Sequence, residues 1–208
     1  NVNQHMSLEL YAKILRDLKA IDYSGRVSYS GFGEPLLHPN HLDLVRMTRE
    51  VLPNCWLDIV SNGDRVTPEK MKNLFDAGLS TLLISMYDGP EQIEIFEKMV
   101  VEAGLPQKAV ILRERYLPPE EGYGINVTNR AGMVTVKEIG VSALPERMKH
   151  PCYYTHYRMM IDYTGEVLLC PHDWGKKLIV GDLNQKSILE LWTGTLLTSI
   201  RKQLGAAD

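Results

Sequence analysis

The chain has 208 residues, 44% of them hydrophobic, and a formal net charge of −3, so it has enough apolar residues to bury a core and is expected to be globular. This slightly acidic balance gives no general electrostatic reason to bind nucleic acid, and no nucleic-acid partner is expected. Because no apolar run approaches the roughly 20 residues that span a bilayer and no signal peptide is recognisable, we expect a cytoplasmic protein with no membrane partner.

Short β-rich runs alternate with helical patterns in the first half of the chain. The predicted strands are Arg26–Ser30, Trp56–Val60, Thr81–Met86 and Ala109–Leu112. One helix is predicted from Ser7, and further helices separate the strands. The clearest of these begins at Thr67-Pro68-Glu69, where a capping hydroxyl, a proline at the first helical position and an acid meet. Strands and helices in alternation predict parallel βαβ units, in an open α/β sheet or part of a barrel.

The pattern changes after about Leu117, where two prolines and two glycines within eight residues indicate a loop. Farther on, the runs Tyr157–Asp162 and Glu166–Leu169 flank the turn Tyr163-Thr164-Gly165, which predicts a β-hairpin. Apolar residues at helical spacing predict one closing helix from Ser187 to about Leu204. We therefore expect two regions, residues 1–140 and residues 141–208.

Polar residues follow the first two strands, at the end where ligands collect in parallel α/β barrels. The turn Gly31-Phe32-Gly33-Glu34-Pro35 offers backbone that can approach a ligand closely and a carboxylate that can hold an ammonium group. An ordinary turn with a surface glutamate has the same pattern. Ser61-Asn62-Gly63 can present a hydroxyl and an amide to a ribose or a substrate, or can serve only as a turn.

The third and fourth strands also end in polar side chains. Ser85 ends a strand that is otherwise apolar, so its hydroxyl can face the barrel mouth or bond to backbone. Arg113 and Arg115 follow the fourth strand, and alternation points them to the same side. Either arginine can clamp a ligand carboxylate through its planar guanidinium, or can lie in solvent.

Three cysteines are too few, and an odd number, for a disulfide scaffold. Cys152 and Cys170 flank the predicted hairpin in the pattern C-x12-G-x4-C, in which the glycine is Gly165. The hairpin brings its ends together, so both thiolates can share one soft metal or one iron-sulfur cluster. The alternative is a pair of small buried residues. Cys55 has no partner in the sequence and is expected to be structural, with Trp56 as a packing residue.

These motifs in this order resemble the radical S-adenosylmethionine (SAM) superfamily, specifically its members with a SPASM or twitch auxiliary-cluster domain. The resemblance covers nearly the whole chain. It implies an α/β fold in which residues 1–140 form a partial (β/α)6 radical SAM barrel. Residues 141–208 are then a small SPASM/twitch-like region of a β-hairpin plus a helix.

The resemblance also implies roles for the strand-end residues. The backbone of Gly33 and the carboxylate of Glu34 would hold the SAM amino group, Ser85 would meet the SAM ribose, and Arg113 would pair with the SAM carboxylate, with Arg115 as the fallback. The residues expected around this cofactor are Gly31, Gly33, Glu34, Pro35, Ser61, Asn62, Ser85 and Arg113.

The cysteine pattern is similar to the opening of a SPASM or twitch domain, which implies that Cys152 and Cys170 hold part of an auxiliary iron-sulfur cluster. Residues Asp173-Trp174, Gly181-Asp182-Leu183 and Ile188–Trp192 are similar to the continuation of that domain. The loop Asn129-Arg130-Ala131-Gly132 is similar to a segment that precedes it, or is simply a polar connection.

Two features of the family are absent from the sequence. The C-x3-C-x2-C loop that binds the catalytic [4Fe-4S] cluster does not occur in the 208 residues, and its expected place is just upstream of Asn1. The later SPASM cysteines are also absent, as expected of truncation at both ends or of a degenerate half-domain. The chain by itself is therefore expected to be inactive.

The resemblance implies that the intact protein cleaves SAM to a 5'-deoxyadenosyl radical, which abstracts hydrogen from a peptide or small-molecule substrate. A reductant such as flavodoxin or ferredoxin is the implied electron donor. Three alternatives remain: a non-catalytic barrel that binds a peptide or protein, a metal-independent lyase or isomerase, and a zinc site at Cys152, Cys170 and a histidine. The reserve ligands are His156, His172 and Asp173.

Overall fold

The computed structural model describes residues 4–116 and 149–206, together with the single positions 135, 142 and 146. The chain divides into two units. We call residues 22–126 the parallel-sheet unit, and residues 1–21 with 127–208 the two-cysteine unit. The first helix, α1 (Leu8–Ala20), therefore belongs with the C-terminal residues. The boundary between residues 140 and 141 stays a prediction, and the Asn129–Gly132 loop lies outside the described residues.

The parallel-sheet unit is built from alternating strands and helices. Its strands are β1 (Arg26–Tyr29), β2 (Trp56–Ser61), β3 (Thr81–Met86) and β4 (Val110–Glu114), and its helices are α2 (His41–Val51), α3 (Pro68–Asp76) and α4 (Glu91–Glu102). All strand pairs are parallel, in the order β1-β2-β3-β4. The predicted α/β class is confirmed.

Local sequence explains where α3 begins. The Thr67 hydroxyl oxygen accepts the Lys70 N–H at 3.2 Å, and Pro68 occupies the first helical position, where its missing N–H costs nothing. Met71 and Leu74 then lie fully buried on one side of the helix. This is the helix start that the sequence predicted.

The strand register separates two faces of this sheet. The Tyr29 hydroxyl donates to the Leu44 carbonyl oxygen of α2 at 3.1 Å, so Tyr29 lies on the face covered by helices. Residues of the opposite parity lie on the other face, which we call the inner face. The register places these residues there: Arg26, Ser28, Asp58, Val60, Leu83, Ser85, Ile111 and Arg113.

Two adjacent residues before and at the start of β2 differ in environment. Cys55 is buried and its thiol donates to the Tyr23 carbonyl oxygen at 3.3 Å, which supports a structural role. Trp56 was expected to be a packing residue, and this prediction is wrong because its side chain is 54% exposed. Trp56 begins the strand with inner-face parity, where the helices do not cover it.

The two-cysteine unit has a small antiparallel sheet followed by helices. The strands are β5 (Met160–Ile161), β6 (Glu166–Leu168) and β7 (Ile179–Asp182), and the helices are α5 (Ile188–Thr193) and α6 (Thr195–Ala206). The predicted hairpin and helical segment are present, but the sheet has a third strand. The single predicted closing helix is wrong, because Gly194 adopts extended backbone (φ −62°, ψ 152°) and separates α5 from α6.

Helix α1 contributes to the core of this unit. Ile14 of α1 packs with the buried side chains of Val167, Leu183, Ile188 and Leu191. The α1 residue Asp17 also accepts the Ile188 N–H through Oδ2 at 3.0 Å, which fixes the start of α5. Within the part of the chain that the structure describes, every helix is too short or too polar to cross a membrane.

Candidate functional site

The Glu34 carboxylate connects the turns that follow β1 and β2. Its Oε1 accepts the Leu36 N–H at 2.9 Å and its Oε2 accepts the Asn62 N–H at 2.8 Å. Pro35 begins the 3₁₀ turn Pro35–Leu37, which Glu34 caps. Each carboxylate oxygen keeps a further lone pair for another donor. The two turns therefore fix an anionic acceptor at the carboxyl end of the strands, and its charge suits an ammonium group.

The two glycines of this turn have different environments. Gly31 has φ +128°, a left-handed conformation that favours glycine over any side chain. Gly33 is exposed, and apart from its two chain neighbours no described residue has an atom within 4 Å of the position that a Cβ would take there. A side chain at residue 33 would enter this open space beside Glu34, so glycine leaves room for a ligand to approach the backbone.

The side chains of the second turn are engaged within that turn. The Ser61 hydroxyl oxygen accepts the Gly63 N–H at 3.0 Å, and Ser61 has the parity of the helix-covered face. The Asn62 side chain accepts the Asp64 N–H at 3.1 Å and donates to the Asp64 carboxylate at 2.8 Å. In this arrangement Asn62 contributes to the site through its main-chain N–H, which holds Glu34.

The register brings Ser85 and Arg113 side by side on the inner face, at the carboxyl ends of β3 and β4. Ser85 is buried and Arg113 is partly buried. Burial lowers the pKa of the Arg113 guanidinium, and the neighbouring positive charge of Arg115 lowers it further. Two neighbouring cations, both partly buried, favour an anionic ligand beside them. A carboxylate suits the planar guanidinium groups.

An ion pair on the same face, farther from the carboxyl ends of the strands, was not predicted from the sequence. Asp58 of β2 is fully buried, and its two carboxylate oxygens accept from Arg26 Nε at 2.5 Å and from the Ser28 hydroxyl at 2.8 Å. The Arg26 guanidinium has its pKa raised chiefly by this hydrogen bond to Asp58. The available signal was a carboxylate within the otherwise apolar run Trp56–Val60. This network ties β1 to β2 beneath the strand-end residues.

Cys152 and Cys170 are both partly buried in the two-cysteine unit. The Cys152 N–H donates to the Leu204 carbonyl oxygen of α6 at 2.9 Å, which fixes the backbone at this cysteine. Cys170 Sγ accepts the His172 N–H at 3.4 Å. A backbone N–H that donates to sulfur stabilises a thiolate and is a feature of iron-sulfur ligation. Thiolates are the ligands that an iron-sulfur cluster requires, and both cysteines belong to the two-cysteine unit.

The reserve ligands do not complete a metal site in the described residues, which contain no group of three or more His, Cys, Asp and Glu side chains able to hold a metal. The His172 ring lies edge-on to Tyr154, with ring centroids 6.5 Å apart. Asp173 is buried and its Oδ2 accepts the Leu178 N–H at 2.7 Å, so it shapes the loop after Cys170. In the described part of the chain, the zinc alternative therefore has no third ligand.

Comparison with protein families gives two matches, one for each candidate site. Residues 1–107 match the family model of the radical SAM superfamily. Residues 152–207 match that of the SPASM family, an iron-sulfur cluster-binding domain. The first range contains the Glu34 turn and the second contains both Cys152 and Cys170.

A curated relative is similar over nearly the whole chain. It is the S-adenosyl-L-methionine-dependent 2-deoxy-scyllo-inosamine dehydrogenase of Niallia circulans, which is 27% identical over 204 residues. The alignment covers 96% of this chain and 74% of that protein.

Two solved structures share the fold. The crystal structure of BtrN in complex with AdoMet and 2-DOIA has a TM-score of 0.77 and 22% identity, and the match covers 97% of this chain and 75% of that chain. Native anSMEcpe with bound AdoMet and Kp18Cys peptide has a TM-score of 0.60 and 13% identity, over 96% of this chain and 75% of that chain. These similarities establish that the chain has the same fold as both proteins.

Proposed function

The chain belongs to the radical SAM superfamily, and on this premise we propose that its strand-end residues hold SAM for the dehydrogenation of a small polar substrate. SAM and a [4Fe-4S] cluster, when bound, supply the radical chemistry that abstracts hydrogen. The chain also carries the SPASM iron-sulfur cluster-binding domain. A barrel that lost its clusters and only binds a partner is not favoured.

The geometry of Glu34 carries the proposed SAM site. Its carboxylate is held by two main-chain N–H groups and lies beside the open space at Gly33. We assign it to accept from the SAM ammonium group. On the inner face, Ser85 would meet the ribose and Arg113 would pair with the SAM carboxylate, as their adjacent positions in the register support. Arg115 is then left to contact a substrate or a second acidic group.

A small-molecule substrate is supported by the relative that aligns with 96% of this chain, because that protein is named for the dehydrogenation of 2-deoxy-scyllo-inosamine. We propose the same reaction class, in which the substrate loses two hydrogens. A peptide is the second candidate, since anSMEcpe has been solved with a bound peptide. An external one-electron donor of the flavodoxin or ferredoxin type would supply the electron for SAM cleavage.

The SAM site is tested with Glu34→Gln in the cluster-loaded protein. This change keeps the shape of the side chain and removes the charge that would face the ammonium group. Loss of a hydrogen bond to a charged group costs about 1.5–3 kcal/mol, so the dissociation constant for SAM should rise about 10- to 100-fold. Glu50→Gln, on the exposed end of α2, is the matched control. Equal SAM affinity in the parent and Glu34→Gln would remove Glu34 from the site.

The auxiliary site is tested by anaerobic iron and sulfide analysis of Cys152→Ala and Cys170→Ala. Each variant should lose the iron and sulfide of one cluster, because a thiolate ligand is removed. Cys55→Ala is the matched control, since Cys55 is buried against Tyr23 in the parallel-sheet unit. It should retain the parent iron content. Unchanged iron in both test variants would show that Cys152 and Cys170 are not ligands.

The substrate class is tested by supplying the intact protein, reduced and loaded with its clusters, with SAM and either a polyhydroxylated amine or a cysteine-containing peptide. Formation of 5'-deoxyadenosine and a product two mass units lighter from the small molecule would support the proposal. The same products from the peptide alone would support the second candidate.

A further inference from the structure

The three guanidinium nitrogens of Arg201, a residue of α6, have different environments. Its Nε donates to the Thr155 carbonyl oxygen at 2.9 Å and its Nη1 donates to the Trp192 carbonyl oxygen at 2.6 Å. The guanidinium carbon also lies 4.0 Å from the centroid of the Trp192 ring. The remaining nitrogen, Nη2, is buried and has no hydrogen-bond partner among the described residues. Buried polar groups in folded proteins nearly always have a hydrogen-bond partner.

Thr155, whose carbonyl oxygen accepts from Arg201, also has a buried polar group without a hydrogen-bond partner among the described residues. This residue is 4% exposed, and its hydroxyl oxygen is buried without a hydrogen-bond partner in the described part of the chain. Its carbonyl oxygen is the one that accepts from Arg201. Two buried polar groups that lack partners among the residues described therefore belong to side chains in neighbouring positions. The hydrogen bonds of α5 and α6 involve neither the Arg201 Nη2 group nor the Thr155 hydroxyl.

Thr155 belongs to the segment that carries Cys152, and Arg201 is hydrogen-bonded to that segment. Thr155 lies three residues after Cys152, and the Cys152 N–H donates to the Leu204 carbonyl oxygen, one helical turn after Arg201. Two hydrogen bonds thus attach the Cys152 segment to α6: Cys152 to Leu204, and Arg201 to Thr155. The Arg201 and Thr155 donors therefore belong to the same attachment between α6 and the segment that carries Cys152.

The chemistry of the two groups specifies their partner. A guanidinium N–H can only donate, and a hydroxyl can donate, so the partner must accept hydrogen bonds. Burial lowers the pKa of Arg201, but an arginine in a protein stays protonated, so an anion is favoured. An iron-sulfur cluster with thiolate ligands is anionic, and its sulfur atoms accept hydrogen bonds.

We propose that Arg201 and Thr155 donate hydrogen bonds to sulfur atoms of the auxiliary cluster at Cys152 and Cys170, and that Arg201 thereby raises the reduction potential of this cluster. The inference rests on the proposed function, because it requires these cysteines to hold a cluster. Reduction adds one electron and one negative charge. A fixed cation and N–H donors stabilise the reduced form more than the oxidised form. Arg201 is thus a positioning and tuning residue.

The test is an anaerobic redox titration of the cluster-loaded protein, with dithionite as the electron donor and the auxiliary cluster followed by electron paramagnetic resonance. The auxiliary signal is identified by its loss in Cys170→Ala. Arg201→Met should shift its midpoint potential to a more negative value. Thr155→Val should shift it in the same direction by less, and Arg201→Lys should shift it less than Arg201→Met because the charge remains. Lys202→Met removes a charge from the next, exposed residue of α6 and should leave the potential unchanged.

An unchanged potential in an Arg201→Met protein that retains its iron would overturn the inference. If Arg201→Met loses the cluster, Thr155→Val decides, and an unshifted potential in that variant also overturns it. These failures differ from failure of the proposed auxiliary site. In that case Cys152→Ala and Cys170→Ala keep the parent iron content, and the inference about Arg201 falls with the site.

Discussion

The two units of the chain fix their ligand groups by different means. In the parallel-sheet unit, Glu34 and Asn62 come from turns after neighbouring strands, so the strand register alone brings the carboxylate and its N–H partner together. In the two-cysteine unit, the segment of Cys152 is attached to α6, which lies about 50 residues later in the chain. The first site depends on sheet register, whereas the second depends on long-range packing around a short sheet.

The largest expected effect concerns the packing of α1 in the two-cysteine unit. Ile14→Ala removes a buried side chain from the core formed with Val167 and Leu183, and should lower the free energy of unfolding by about 2–5 kcal/mol. Hydrogen exchange should accelerate in β6 and α5 but not in β1–β4, because the core around Ile14 lies within one unit. Leu8→Ala, on the exposed side of α1, should change neither measurement appreciably.

Faster exchange throughout both units of Ile14→Ala would contradict this distinction. It would show that the two units unfold together. The stabilities of the parallel-sheet unit and the two-cysteine unit would then be coupled rather than separate.

A smaller effect is expected from the buried carboxylate of the parallel-sheet unit. Asp58→Asn removes the charge that accepts hydrogen bonds from Arg26 and Ser28, and should cost about 1.5–3 kcal/mol of unfolding free energy in urea titrations. Asp76→Asn removes an exposed i,i+4 ion pair with Lys72 and should cost only about 0.3–0.5 kcal/mol. Equal stability of the two variants would mean that the buried network does not stabilise the sheet.

The capping box of α5 should have a weaker effect. The Ser187 hydroxyl oxygen accepts the Glu190 N–H at 3.2 Å, while the Glu190 carboxylate accepts the Ser187 N–H. Ser187→Ala should lower the free energy of unfolding by about 1 kcal/mol, and Ser187→Asp should restore most of it, because aspartate also caps helices. Ser199→Ala, on the exposed side of α6, is the control and should leave the thermal midpoint unchanged. Failure of Ser187→Asp to restore stability would argue against the cap.

These contrasts also explain what the sequence alone could predict. The strands of the parallel-sheet unit and the start of α3 follow from local patterns such as Thr67-Pro68, and the Glu34 turn follows directly from β1. The strand β7 was missed because its residues are mostly half-exposed and show no alternation. The break at Gly194 was missed because apolar spacing continues across it.

No local sequence pattern could predict contacts between residues that are far apart in the chain. The hydrogen bond between Asp17 and Ile188 joins residues 171 positions apart, so no periodicity near α1 shows which unit it joins. The pairing of Arg201 with Thr155 likewise depends on how α6 folds back on the Cys152 segment. The spacing of Cys152 and Cys170 around the predicted hairpin singled out the two cysteines, but Arg201 and Thr155 became visible only in three dimensions.

The smallest expected effect is a pH dependence of the unfolding free energy that comes from the buried Cys55 thiol. Burial raises the pKa of the Cys55 thiol, so the folded protein holds this proton to higher pH than the unfolded chain does. The stabilisation is complete below the ordinary thiol pKa of about 8.5 and is lost as pH rises through the raised value in the folded protein.

In the metal-free protein, the free energy of unfolding should therefore fall less between about pH 8 and pH 10 in Cys55→Ala than in the parent. The slopes are measured by urea titration at each pH. If the free energy of unfolding of Cys55→Ala falls with pH as steeply as that of the parent, the pH dependence belongs to another group.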